Sequence, residues 1–449
     1  MRKHLSSRPD SDVRALSGVS RLRAWTLTIL AMLALAVTLV QRQVLSALAA
    51  TVTSTLHISD FNYGWLSSAF ASAYLVGSLP SARLMQRIGP RLGFAATLAV
   101  SSAVIGLHAL VPGYFVLLGL RAAAGLSVAP SFACATQTVH RVLPFKDRAR
   151  GIGLLYMGNS LGSAVCPPLA VALATAFGWR EAFFWVSCIG LAWVPLWITI
   201  AFTGGARSTL DAPAVILPAQ RLPSFDPGAA NRKMDWRRAS SSFVTVARNP
   251  GVLRGSLVVA AAAPVTTIML LWGTKYLVRD HALTQAQTGR YLWLPALFFG
   301  AGSLIFGELR SRSTKIRSAT RPPYLLMAIA MCMSALMAAV PSAHDPQTCV
   351  LIASVAMGGA GGLYTLATND MLSHAPTGKV APTSSFTTLT QSLIYIVVSP
   401  IIGRVVETFG SYRLVMIGAG LWVFPGCLYW FFQAWWSYRP RSQPTPAIR

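Results

Sequence analysis

Apolar residues in this chain come in long blocks rather than at the short spacings of a water-soluble fold. A helix crosses the hydrocarbon core of a bilayer in about 20 residues. Blocks of that order lie at 25–49, 64–83, 91–110, 113–137, 151–174, 180–203, 253–276, 289–308, 323–341, 348–370, 383–403 and 412–435. The breaks between them are short and carry turn residues, as in "RIGPRLG", "AFGWRE" and "TFGSYR". One break is long: 204–252 is rich in Pro, Gly, Ser and Arg, holds no sustained period, and reads as a linker. The pattern predicts an all-α membrane protein of 12 transmembrane helices in two pseudo-symmetric halves. Its parts are a tail at 1–24, a six-helix bundle at 25–203, the linker at 204–252, a second six-helix bundle at 253–436 and a tail at 437–449.

Composition points the same way. Of 449 residues, 54% are hydrophobic and 11% charged, against roughly a quarter charged in a soluble domain. A net charge of +25 would suggest a nucleic-acid partner in a soluble chain, but here its distribution describes topology. With the N-terminus in the cytoplasm, thirty Lys and Arg fall in cytoplasmic segments and five (Arg180, Arg279, Arg290, Arg404, Arg413) on the opposite side. Basic residues accumulate in cytoplasmic loops. The expectation is a multi-pass protein of a bacterial-type inner (plasma) membrane, with both termini and the linker cytoplasmic, the lipid bilayer as its surroundings and no nucleic acid. Three basic residues are left over inside spans one, four and seven: Arg42, Arg121 and Lys275.

An arginine at bilayer depth costs about 2.5–3.5 kcal/mol on the mildest insertion scale, and such residues have a partner or a task. Arg42 sits in "LAVTLVQRQVLSALAA", where long apolar sequence on both sides makes it hard for the side chain to reach water. Its guanidinium is a planar fork matched to a carboxylate and stays charged at any working pH. Two roles are open to it: binding an anionic ligand, or a structural hydrogen bond within the bundle. Gln41 and Gln43 flank it and point different ways on a helix, so one is expected in a cavity and the other against a neighbouring helix. Lys275 lies near the end of its span, where it either snorkels or supplies a second cation. Tyr74, Tyr156, Asn159 and Gln391 are polar positions on apolar helices, suited to replacing a substrate's hydration or to bonds between helices worth about 0.6 kcal/mol each. Six cysteines are scattered singly without metal or redox spacing, and no H-E-x-x-H, G-x-S-x-G or Walker A pattern occurs. Neither an enzyme nor a cofactor or metal is expected.

Longer motifs carry a resemblance. "ARLMQRIGPR" resembles the G-x-x-x-D-R-x-G-R-R loop of the major facilitator superfamily, keeping Arg87, Gly89 and Arg91 but with Ala82 and Gln86 at the first glycine and the aspartate. "RAAAGLSVA" resembles the span-four pattern through Arg121, Gly125 and Ala129. "LPFKDRARGIGLLYMGNSLGSAVCPPL", with "WGTKYL" and "YLWLPALFFG", is similar to the anion:cation symporters and their hexuronate branch. The resemblance implies the major facilitator fold and transport of a small organic anion, a sugar acid or another carboxylate, with a co-transported proton or other ion. It implies that Arg42 binds the carboxylate, that Tyr74 and Asn159 line the site, and that Lys275 can add a cation; Gln41, Tyr156 and Gln391 are further candidates from their polar character alone. Arg87, Gly89, Arg91, Arg121 and Gly125 serve conformational change. The chain departs from the family where an aspartate and a glutamate are usual: those positions read Gln41 and Val128, and all thirteen carboxylates are expected in loops or near helix ends. A drug or metabolite efflux transporter and a transport-inactive membrane sensor are the alternatives.

Overall fold

In a computed structural model, the residues described are 20–211, 245–316, 322–375 and 380–437. They are helical throughout, with no strand among them. The first half consists of α1 (Arg21–Ala47), α2 (Ala49–Thr55), α3 (Asp60–Leu107), α4 (Tyr114–Val128), α5 (Ser131–Val142), α6 (Phe145–Phe177), α7 (Trp179–Ala201) and α8 (Gly204–Asp211). The second consists of α9 (Pro250–Thr267), a π turn at Ile268–Trp272, α10 (Gly273–Asp280), α11 (Gln285–Thr288), α12 (Trp293–Ile316), α13 (Tyr324–Ala335), α14 (Pro346–Ser373), α15 (Val380–Phe409) and α16 (Arg413–Ser437). Eleven stretches among the described residues are long and apolar enough to cross a membrane. The expected span at 64–83 is the first part of α3.

Local sequence explains where the helices start and break. Ser59 caps α3 by accepting from the Asn62 N–H at 3.2 Å, and Asp60 in the first turn complements the helix dipole. Asn249 before Pro250 opens α9, and Asp345 before Pro346 opens α14; proline at the first helical position loses no hydrogen bond. The "RIGPR" break does not end a helix. Gly89 takes φ 79°, ψ 156° and kinks α3 in mid-course, a backbone state that glycine adopts without strain. Span four is divided at Ala129–Pro130 into α4 and α5. The linker's first residues are not coil: α8 buries Ala206 and Leu210 against the first half.

Call the end holding Ser20 and Ser437 the basic end, and the opposite one the distal end. Buried apolar residues form one large cluster to which both halves contribute, from Val44, Leu48 and Tyr63 to Trp272, Tyr395 and Tyr412. A separate cluster around Leu27, Phe94, Trp193 and Trp197 belongs to the first half alone, and a small one of Val246, Val252 and Met371 to the second. The halves thus share the large cluster, which in the second half runs on to Trp430 and Ala434, while the first half keeps a core of its own at the basic end.

Hydrogen bonds follow the same division. The Tyr63 hydroxyl donates to the Leu271 carbonyl in the π turn at 2.6 Å. Ser68 donates to the Ile396 carbonyl at 2.7 Å, Gln285 to the Ala47 carbonyl at 2.6 Å, and the Phe61 N–H to Glu407 at 2.8 Å. Asp60 takes two cations from the other half, Lys275 at 2.5 Å and Arg279 at 2.6 Å. Small residues let the backbones meet: a Cβ on Gly64 would lie 2.6 Å from the Pro400 Cα, and one on Gly403 would strike the Asp60 carbonyl.

Overpacking a tight contact costs about 1–3 kcal/mol, and each 1.4 kcal/mol is about tenfold in an equilibrium. Gly403→Leu is therefore expected to separate α3 from α15. A cysteine replacing the buried Thr274, which sits on the Ala47 carbonyl, should then react about tenfold faster with a water-soluble maleimide in the Gly403→Leu background.

Candidate functional site

Arg42 projects from the last turns of α1 and is half-buried. Its guanidinium carbon lies 5.3 Å from the Tyr74 ring centroid and 5.5 Å from that of Phe70, and the two rings stack with an interplanar angle of 8°. Arg121, on α4, places its guanidinium 4.4 Å from the centroid of the same Phe70 ring. It is 3% exposed, and its Nε and Nη1 have no hydrogen-bond partner. Neither arginine has an ion pair among the described residues. Sharing one ring puts the two charges at most about 10 Å apart, where their mutual repulsion in a protein interior is about 1.5–2 kcal/mol.

Gly125 explains why Arg121 reaches this ring. A Cβ there would run into the Phe70 carbonyl and lie 2.9 Å from the Tyr74 nitrogen, so only glycine lets α4 lie directly on this turn of α3. Asn159, on α6, has a buried Oδ1 without a partner and lies between Gly158 and Gly162, which pack against the α1 backbone at Met32 and Ala36. From the second half, Gln391 donates to the Tyr395 hydroxyl at 3.0 Å, which in turn bonds Thr266 at 3.0 Å. Tyr364 is buried beside them, its hydroxyl unpartnered. Buried polar atoms without partners are few in native proteins, and each invites an explanation.

Several expected positions lie elsewhere. Gln41 is fully buried, donates to Ser102 at 2.7 Å and accepts from Ser101 at 2.9 Å, so it ties α1 to α3 and faces no cavity. Gln43 does likewise with Ser163. Lys275 is held at the distal junction by Asp60 and Thr53, beside the Tyr63 ring, because an acid across the interface claims it first. Tyr156 is 56% exposed and faces the Phe132 ring 5.4 Å away, rather than Arg42. Among the motif residues, Gly89 forms the kink and Arg91 pairs with Asp211 of α8 at 2.7 Å while lying 4.2 Å from the Phe202 ring. Arg87 is exposed, and the side chains of Ala82 and Gln86 lie outside the described residues. A groove of about 800 Å3 between α6 and the start of α12 is apolar and away from Arg42 and Arg121, lined by residues such as Pro168, Val171, Gly289 and Trp293.

Reading the sequence missed Asp60, Phe70, Tyr395 and Thr266. Asp60 was grouped with acids at helix ends, although the i, i+4 spacing of Lys275 and Arg279 calls for one carboxylate facing both.

The Major Facilitator Superfamily model matches residues 30–395. The chain belongs to that superfamily. It is 25% identical over 434 residues to the probable L-galactonate transporter of Escherichia coli K12, covering 94% of this chain and 92% of the relative. It is 22% identical over 270 residues to the galacturonate transporter of Dickeya chrysanthemi, covering 60% and 76%. Its fold matches the crystal structure of a bacterial homologue of the human lysosomal transporter Spinster in an inward-facing conformation, with a TM-score of 0.74 at 16% identity, over 93% of this chain and 98% of that one. The relatedness to sugar-acid transporters bears out the resemblance read from the motifs.

Because a Cβ at 125 meets backbone rather than a flexible side chain, Gly125→Ala is expected to destabilise the protein by about 1–3 kcal/mol. The check is a lower unfolding midpoint in detergent, together with weaker ligand binding as Arg121 and Phe70 are pushed apart.

Proposed function

We propose that this protein is a secondary transporter that takes up a small organic anion, a sugar acid or related carboxylate, by alternating access. The observation that carries the reading is Arg42: a permanent cation near the end of α1, over two stacked rings, with no carboxylate partner among the described residues. Arg42 receives the carboxylate, with Arg121 against the same Phe70 ring, and the unpartnered Asn159 Oδ1 is free to accept from a ligand hydroxyl. The Gln391–Tyr395–Thr266 chain and Tyr364 offer donors and acceptors to hydroxyl groups from the other half. The names of the relatives support the substrate class.

Bundles 25–203 and 253–436 are the units that move about this site, joined by 204–252, with the tails 1–24 and 437–449 outside them. The basic end faces the cytoplasm of a bacterial-type cell and both termini lie there, in keeping with the thirty-to-five distribution of Lys and Arg. Polar contacts between the halves that gather at the distal end support a state that releases substrate inward. A membrane potential that is negative inside opposes anion entry by about 2.3 kcal/mol per charge per 100 mV. Uptake therefore requires a co-transported proton or other ion, or counterflow of another anion.

The test is uptake of labelled glucuronate and galacturonate into liposomes holding the purified protein, with and without an imposed proton gradient. Removing one partner of a buried charge contact costs about 2–5 kcal/mol, so Arg42→Ala should reduce uptake by about thirtyfold or more. Saturable binding without accumulation would instead identify a sensor, and net export a drug or metabolite efflux transporter.

A further inference from the structure

The charges around the site do not balance. Asp60 is held by Lys275 and Arg279, Asp370 by Arg254, Asp211 by Arg91, Asp147 by Arg150, and Glu308 by Arg312, while Glu407 accepts from the Phe61 N–H. Among the described residues, the groups that act electrostatically on Arg121 are Tyr63, Arg42 and His108, and none of them is a carboxylate. Two guanidiniums thus face one aromatic ring, one of them 3% exposed with two N–H-bearing nitrogens unpartnered. Buried charges in proteins are paired, and an unpaired one is strongly disfavoured.

We infer that the ligand supplies both missing charges: the site selects a dianion, a sugar acid with a carboxylate at each end, over acids that carry one. The inference rests on the transport reading and narrows its substrate class. Geometry fits it. A six-carbon chain holds its terminal carboxyl carbons about 6 Å apart when extended, from C–C bonds of about 1.5 Å. Each carboxylate can then meet one guanidinium as a planar fork. A single carboxylate leaves one guanidinium without a counter-charge. Arginine stays protonated across the working range and both ligand carboxyls are ionised above about pH 5.5, so affinity for the dianion is flat from there to neutrality.

The experiment is calorimetric titration of the full chain in detergent with three six-carbon acids: an aldonate, a uronate and an aldarate, the last bearing two carboxylates. The aldarate is expected to bind at least about tenfold more tightly than either monoanion, a difference of about 1.4 kcal/mol. Arg121→Gln should bring that ratio to about one. So should Val128→Glu, which sets a carboxylate seven residues along α4 on the face of Arg121, and the two variants guard against a folding defect in either. Monoanions that bind as tightly as the aldarate overturn the dianion inference and leave the sugar-acid reading standing. No binding by any of the three, in protein whose unfolding midpoint is intact, overturns both.

Discussion

A positive charge that has no negative neighbour inside a low-dielectric body is the constraint from which the arrangement around Phe70 follows. Such a charge is strongly disfavoured unless it is paired or hydrogen-bonded. The stacked rings of Phe70 and Tyr74 present π faces to Arg42, and Phe70 presents one to Arg121; each such contact is worth about 0.5–2 kcal/mol. That is too little to offset burial of a full charge. On the proposed reading, a bound anion supplies the balance.

The helix contacts are subordinate to that arrangement. Gly125 brings α4 onto α3 so that both arginines meet one ring, and Gly158 and Gly162 bring α6 against α1. Gln41 and Gln43, on either side of Arg42, are consumed in fastening α1 to α3 and α6. These bonds fix the rotation of α1, and with it the direction in which Arg42 points. Polar residues beside the functional one act here as its mounting.

Much of this was legible in the sequence, for a physical reason: hydrocarbon demands unbroken apolar helices, so the spans and the exceptional residues within them stand out. Arg42, Tyr74, Arg121 and Gly125 could be picked out one by one, and the structure gathers them on one ring. What the sequence hid were relations between distant segments. Whether Lys275 serves a ligand or an acid depends on Asp60, more than two hundred residues away. Gln41 looks like a cavity residue until Ser101 and Ser102 of α3 are opposite it. The π turn at Ile268–Trp272 and the early helix α8 leave no periodic signature, because both are set by what they pack against.

The junction between Asp60 and the Lys275–Arg279 pair has a consequence of its own. An apolar seal grows more costly to part with every square ångström it covers, since water gains nothing from the surfaces exposed. An ionic clasp is different, because each of its three charges recovers a hydration shell as the halves separate. Its closed and open forms can therefore lie close in free energy while remaining distinct in geometry. The fold places that clasp beside a shared apolar core, where the two halves meet distally.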